Sequence, residues 1–354
     1  MAMSLAALQT DPTSLGSAKE RYEWMDSCRG LGVLLITLVH AGSFLSEFYG
    51  EELPTVIRSL DLIFSPYRIP MLVFLSGIFL SHSLKKGVLK FATGKFRNIL
   101  WPYLLWTAIL AFLLEGASSW LNWQTWVMGG PAMWFLSFLM VYYLVGLLTA
   151  RVPFLIIAIY ALALSMVATA ETRYGSRLFL LMSYFFVGAF LGLHMSRMLQ
   201  VIKSRWALCL IPLVVALSVY FAQQSTEVKY NPFILPLIIG SIIGVCCLVN
   251  LLSGKLYQSF QFVGRNSIKY YVIHPGVYII LYQWTPVREW LSIYVLILLA
   301  FVLAVIAATG VSHWSLRDQR VNLLFAGPPL PDRAWINLLA DWGNRVFLPP
   351  AVRP

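Results

Sequence analysis

The chain has 354 residues, of which 59% are hydrophobic and 12% charged, about half the charged content of soluble domains, which is roughly 25%. With a mean hydropathy of +0.74, this composition excludes a soluble globular enzyme and places the chain in a lipid bilayer. The net charge of +11 and a pI near 9.6 do not argue for nucleic acid, because the placement of the basic residues accounts for them as membrane topology.

Residues 1–21 lack both the basic start and the apolar core of a signal peptide and read as a short cytoplasmic segment. Ten stretches then follow that are apolar for long enough to cross about 30 Å of hydrocarbon as helices, which takes roughly 20 residues each. They lie near 30–49, 66–84, 98–116, 132–150, 152–170, 178–196, 206–223, 233–252, 268–285 and 291–312. The expected fold is an all-α, polytopic membrane bundle of about ten transmembrane helices. No long polar insertion interrupts it, so 22–320 reads as one membrane domain. No internal repeat is evident, which weighs against an inverted-repeat transporter.

If residue 1 is cytoplasmic and the spans alternate, 20 of the 26 basic residues fall on the cytoplasmic side. Arg58, Arg68, Arg173, Arg177, Lys229 and Arg288 fall outside. This asymmetry predicts both termini in the cytoplasm. The outer connections carry Glu47, Glu51, Glu52, Asp61, Glu171, Glu227 and Glu289. One of them, "SSWLNWQTWVMGG" (118–130), holds three tryptophans, which read as an interfacial belt or as a stacking surface for sugar rings. Cys28, Cys209, Cys246 and Cys247 form neither a CxxC pair nor a disulfide framework and read as packing residues. The tail, 321–354, is predicted to be partly interfacial or disordered; Trp335, Leu338, Leu339 and Trp342 follow helical spacing and suit a short helix on the inner membrane surface.

The first span carries the most informative pattern. Arg29 and His40 are 11 residues apart, in a helix a rise of about 16 Å and a rotation within about 20° of three full turns. Both therefore face the same way, and Asp26, three positions before Arg29, meets it on that face. The pattern predicts an ion pair at the mouth of a groove and an imidazole near mid-membrane. Polar groups at that depth line cavities or bond a neighbouring helix.

The segment "DSCRGLGVLLITLVH" resembles the opening helix of the membrane-bound acyltransferase-3 family, with Asp26, Arg29, Gly30 and His40 in the signature positions. "YRIPMLVFLSG" (67–77) is similar to the family's arginine–proline start and Phe-x-Ser-Gly helix, through Arg68, Pro70, Phe74, Ser76 and Gly77. "KFRNILWPYLLW" (95–106) resembles its basic linker, and "MWFLSFLMVYYL" (133–144) its Trp-Phe-Leu helix. "FVGRNSIKYYVIHP" (262–275) resembles its late motif, through Gly264, Ser267, Tyr271 and His274. Two departures stand out. The linker has Lys95 and Arg97 where many members carry two arginines, and "SFLMVYY" lacks the glutamate that some members carry. The chain thus resembles the sugar O-acetylase and periplasmic-glucan branches.

The resemblance implies an integral O-acyltransferase of the inner (plasma) membrane. It would move an acetyl or succinyl group from cytoplasmic acyl-CoA, acetyl-CoA above all, to a hydroxyl of an extracytoplasmic glycan, without a metal. The polyanionic donor requires cations, for which Arg29, Lys85, Lys95 and Arg97 are the candidates. His40, grouped with Asp26 as catalytic, would take the hydroxyl proton or be acylated itself; the sequence leaves both routes open. Arg68, Ser76, Ser267, Tyr271 and His274 are implied on the substrate side, Arg68 through the acceptor or through an acidic neighbour such as Asp61. Partners implied are the glycan, membrane lipid and polysaccharide assembly or export proteins. The competing readings are a flippase for a lipid-linked sugar and a non-enzymatic member of an assembly complex. Neither requires the register of Arg29 with His40 or a basic linker.

Overall fold

The computed structural model describes residues 12–130, 132–168, 175–224, 230–283, 291–329 and 334–350. Residues 1–11, the connections bearing Glu171, Arg173, Glu227, Lys229, Arg288 and Glu289, the tail residues Arg333 and Arg353, and the side chains of Trp335 and Leu338 lie outside the described set. Among the described residues all regular structure is helical.

Helix α1 (Pro12–Tyr49) runs unbroken through the first apolar stretch and stops at Gly50, whose φ of 64° suits a left-handed helix end. Next come α2 (Thr55–Phe64), a 3₁₀ turn (Ser65–Tyr67) and α3 (Ile69–Ile78). Pro66 and Pro70 lack the N–H groups that a continuous ladder needs, so the segment breaks between them, at Arg68. Beyond α4 (Leu80–Leu84) and α5 (Val88–Lys95), the chain widens into a π turn (Phe96–Leu100) before α6 (Trp101–Glu115). Pro102 removes the donor that the Asn98 carbonyl would meet in a regular α-helix, a local reason for the widening.

The remaining helices are α7 (Trp123–Met128), α8 (Trp134–Leu148), α9 (Phe154–Val167), α10 (Gly175–Leu193), α11 (Met195–Lys203), α12 (Ile211–Ala222), α13 (Leu235–Leu251), α14 (Gly254–Arg265), α15 (Ser267–Gln283), α16 (Ile293–Arg317), α17 (Gln319–Asn322) and α18 (Ala334–Phe347). Six helical segments among the described residues are long and apolar enough to cross a membrane, or seven if the pair Met195–Lys203 and Leu208–Ala222, bent by 80°, counts as one. The sequence predicts ten. The shortfall comes mainly from α8, α9 and α15, which have 15, 14 and 17 residues and so are about 21–26 Å long at 1.5 Å per residue. Hydropathy windows measure how apolar a stretch is. Helix length is set by where the backbone ends it.

Two crossings organise the core, and glycine makes both. A β-carbon on Gly30 would overlap the Phe260 carbonyl and one on Gly264 the Asp26 carbonyl, so α1 and α14 touch backbone to backbone. In the same way Gly77 of α3 meets Phe185 of α10, while Gly188 and Gly192 of α10 meet Phe74 and Ile78 of α3. In lipid, where apolar side chains gain nothing by leaving solvent, such close approach is the main source of helix association. Helix α15 lies along α1 on one side and α16 on the other. Tyr278 and Tyr282 donate hydroxyl hydrogen bonds of 2.7 Å to the carbonyls of Thr37 and Ala41. These two bonds flank His40 and set α15 against α1 at its level.

The tail also has a definite place. Phe325 and Leu348 are buried, and α18 rests on α5, where Asn344 Oδ1 accepts a 2.8 Å bond from the Val88 N–H.

Candidate active site

The α1/α14 crossing opens into a cavity of about 470 Å³, lined among others by Asp26, Arg29, Ser76, Asn98, Tyr143, Arg265, Ser267 and Tyr271. Five residues implied by the sequence as catalytic, donor-binding or substrate-binding thus share one space: Asp26, Arg29, Ser76, Ser267 and Tyr271; His40 and His274 are not in its lining. Its walls are apolar along Val33, Leu72, Leu136 and Leu139. The Arg265 side chain is 53% exposed and marks the mouth; Tyr271, at 4%, is the closed end.

Charge is concentrated at the mouth. Arg29 Nη1 lies 3.6 Å from Asp26 Oδ1, one helical turn away, as the spacing predicts. Arg265 completes the cluster, with Nε 3.4 Å from Asp26 Oδ2 and Nη2 3.9 Å from Glu23 Oε1. Arg29 also donates a 3.4 Å bond from Nη2 to the Leu75 carbonyl and lies over the Phe79 ring at 4.9 Å. Its guanidinium is therefore held between α1 and α3, with its position set by three partners of different kinds. Lys95 approaches from the linker and sits 3.6 Å over the ring of Tyr143, itself a cavity residue whose hydroxyl donates to the Ser76 carbonyl at 3.0 Å.

At the closed end, Tyr271 donates a 2.6 Å hydroxyl bond to the Ala132 carbonyl, and its ring centroid lies 5.9 Å from that of His274. His274 is fully buried and its Nε2 is 2.9 Å from Nδ1 of His40. The two histidines predicted separately from the sequence are in direct contact. Their tautomers follow from what surrounds them. His274 Nδ1 faces the Tyr270 carbonyl at 2.9 Å, an atom that only accepts, so Nδ1 carries the hydrogen. A neutral His274 then offers the lone pair of Nε2, and His40 Nδ1 donates to it. This leaves the lone pair of His40 on Nε2. His40 itself is half-buried, so its ring is not sealed off.

Other predicted residues are elsewhere. Arg68 is buried at the break between α2 and α3, bound to the Asp61 carboxylate and, at 3.0 Å, to the Asp61 carbonyl. Arg68 thus makes contact with the acidic neighbour Asp61. Lys85 lines a separate space of about 210 Å³ with Ser81, His82 and Gly192. Arg97 Nε–H donates to the Gly327 carbonyl at 2.8 Å and so turns toward the tail. Conversely, sequence reasoning passed over Arg265, Tyr143 and Asn98. Arg265 had a signal, since it directly follows Gly264 in the late motif; Tyr143 and Asn98 had none beyond lying in stretches that resemble the family's helix and linker. Among the described residues no group of three or more His, Cys, Asp and Glu side chains could hold a metal ion.

Fold and site together define a membrane protein with an internal cavity, charged at its mouth and closed by residues packed on a histidine pair. The acyltransferase-domain profile of the acyltransferase-3 family matches residues 22–309, and the chain belongs to that family. No curated protein and no solved structure matches it.

Proposed function

We propose that the protein transfers an acyl group from cytoplasmic acyl-CoA to a hydroxyl of a glycan on the outer side of the inner membrane, with both termini inside. The observation that carries the reading is the cavity lined by Arg29 and Arg265 at its mouth and by Tyr271, whose ring packs against His274, the hydrogen-bond partner of His40. A polyanionic donor needs cations where it enters and an apolar channel for its slender acyl-pantetheine arm, and the cavity has these in that order.

Chemistry belongs to the histidine pair. A sugar hydroxyl is a poor nucleophile at neutral pH and must lose its proton as it attacks. His40 Nε2 takes that proton, the new C–O ester bond forms, the thioester C–S bond breaks, and the imidazolium returns the proton to the departing thiolate. His274 keeps His40 in the required tautomer by accepting from Nδ1–H. If the acyl group were relayed through His40, the same Nε2 would be the nucleophile.

The test is transfer of labelled acetyl from acetyl-CoA by the protein in proteoliposomes to a glycan, followed by mass spectrometry. Wild type should add one acetyl mass unit per hydroxyl. His40→Gln keeps hydrogen-bonding groups but cannot take up the proton, and should lose about 10²-fold or more in rate. A glutamine variant that transfers at the wild-type rate would remove the basis of the reading.

A further inference from the structure

The matched acyltransferase domain stops at residue 309, yet the chain beyond it is tied to the lip of the cavity. Asn98 and Ile99 line that cavity and belong to the π turn. On the opposite side of the turn Arg97 and Gly327 form a reciprocal pair: Gly327 N–H donates to the Arg97 carbonyl at 2.8 Å, and Arg97 Nε–H donates to the Gly327 carbonyl at 2.8 Å. Two indoles extend the attachment, Trp101 Nε1–H to the Leu323 carbonyl at 2.7 Å and Trp106 Nε1–H to the Leu324 carbonyl at 2.9 Å. Phe325, buried, stacks on Trp106 with centroids 5.6 Å apart.

These contacts have a local reason. A π turn is a rare, single-turn departure from the regular α ladder, and contacts with a neighbouring segment help to fix its shape. Here the neighbour is the tail. Its glycine is required by close approach, since a β-carbon on Gly327 would lie 2.9 Å from Trp101 Cγ and 3.0 Å from Trp101 Cβ.

We propose that segment 323–327 is a clasp that positions the π turn, and with it Asn98 and Ile99, so that the lip fits the acyl-CoA donor. Gly327, Trp101, Trp106 and Arg97 are then positioning residues for donor binding. This rests on the reading that the donor enters by this cavity. The His40–His274 bond is made between α1 and α15 and involves no residue of 323–327, so loosening the clasp should weaken donor binding and leave the chemical step alone.

The experiment uses the full-length protein in proteoliposomes, with Cys209→Ser to remove the exposed thiol. Ile99→Cys, half-buried in the lip, is labelled with a hydrophilic maleimide with and without Gly327→Val. In parallel the Kd for acetyl-CoA and the kcat at saturating donor are measured for wild type, Gly327→Val, Trp106→Phe and Arg29→Ala. Loss of the reciprocal pair should speed labelling and raise Kd about tenfold, with kcat unchanged. Trp106→Phe, which keeps the stack and loses one hydrogen bond, should move Kd the same way by less. Equal labelling of Ile99→Cys in both backgrounds overturns the clasp. So does a Kd that rises in Arg29→Ala but not in Gly327→Val. A fall in kcat equal to the rise in Kd also overturns it, because the tail would then be supporting the whole bundle. If labelling accelerates while neither Gly327→Val nor Arg29→Ala changes acetyl-CoA binding, the lip is positioned by the clasp and it is the donor reading that fails.

Discussion

The mouth of the cavity and its closed end use opposite means to hold a polar group in a membrane. At the mouth four charged side chains, Glu23, Asp26, Arg29 and Arg265, stand 3.4–3.9 Å from their partners and remain partly exposed. Each guanidinium has more than one partner, so the cluster can open toward a ligand without leaving any charge alone. Behind the closed end, where neither histidine lines the cavity itself, there is one 2.9 Å contact between two imidazoles, and His274 is 1% exposed. The Tyr270 carbonyl fixes one tautomer, which fixes the next, and the α1 carbonyls on either side of His40 are bound by tyrosines of α15. Recognition of a mobile polyanion suits the first arrangement and proton transfer in one geometry suits the second.

Both ends depend on the α1/α14 crossing, so breaking that crossing should have the largest effect. Gly264→Val would drive a side chain into the Asp26 carbonyl, a backbone atom that cannot move aside. The cost should be at or above the upper end of the about 1–3 kcal/mol typical of overpacking, seen as loss of folded protein in detergent by size-exclusion chromatography. Gly94, with open space around it, is the control, and Gly94→Ala should fold normally.

The second effect separates the two histidines. His40→Ala should leave acyl-CoA binding intact and lower transfer by about 10²-fold or more. His274→Phe keeps the ring volume but removes the acceptor that orients His40 through Nδ1–H, which should cost about tenfold or more in kcat. His274→Gln, whose side-chain carbonyl can accept that hydrogen, should recover part of the loss. Equal rates for the phenylalanine and glutamine variants would mean that His274 does not orient His40.

At the mouth the effects should fall on affinity. Arg29→Ala should lose most of the acyl-CoA affinity and Arg29→Lys part of it, because lysine brings charge without the planar fork; isothermal titration at constant ionic strength reads this directly. Acyl-CoA binding to the alanine variant at wild-type affinity would reduce Arg29 to a membrane anchor.

The smallest effect sharpens the division between anchored and exposed cations. Arg265→Ala should weaken binding less than Arg29→Ala, and the difference from wild type should shrink at high salt, since its side chain is half-exposed and screened. Lys85→Ala, on a separate space, should change acyl-CoA affinity least of all. If Lys85→Ala weakens affinity as much as Arg29→Ala, the donor must also reach that second space.

Composition and helical period alone determined the solvent, the all-helical class and the pairing of Asp26 with Arg29 one turn apart, because each depends on residues close in sequence. Resemblance to the family then picked out Ser76, Ser267 and Tyr271, which line the cavity with Asp26 and Arg29. Tertiary structure decided what hydropathy cannot encode. It divided ten apolar stretches into six or seven helical segments of spanning length and shorter ones, because prolines and helix ends act on backbone hydrogen bonds that a hydropathy average does not see. It also sorted equal charges into different tasks: Arg29 at the cavity, Arg68 on Asp61, Arg97 on the tail. Local spacing pointed to Asp26 for Arg29 and to Asp61 for Arg68, but nothing near Arg97 in the sequence points to Gly327, 230 residues away. The pairing of His40 with His274, 234 residues apart, exists only because glycines let α1 and α14 touch and tyrosines hold α15 against α1. Contacts of that range are set by how helices meet, and the sequence of neither helix contains them alone.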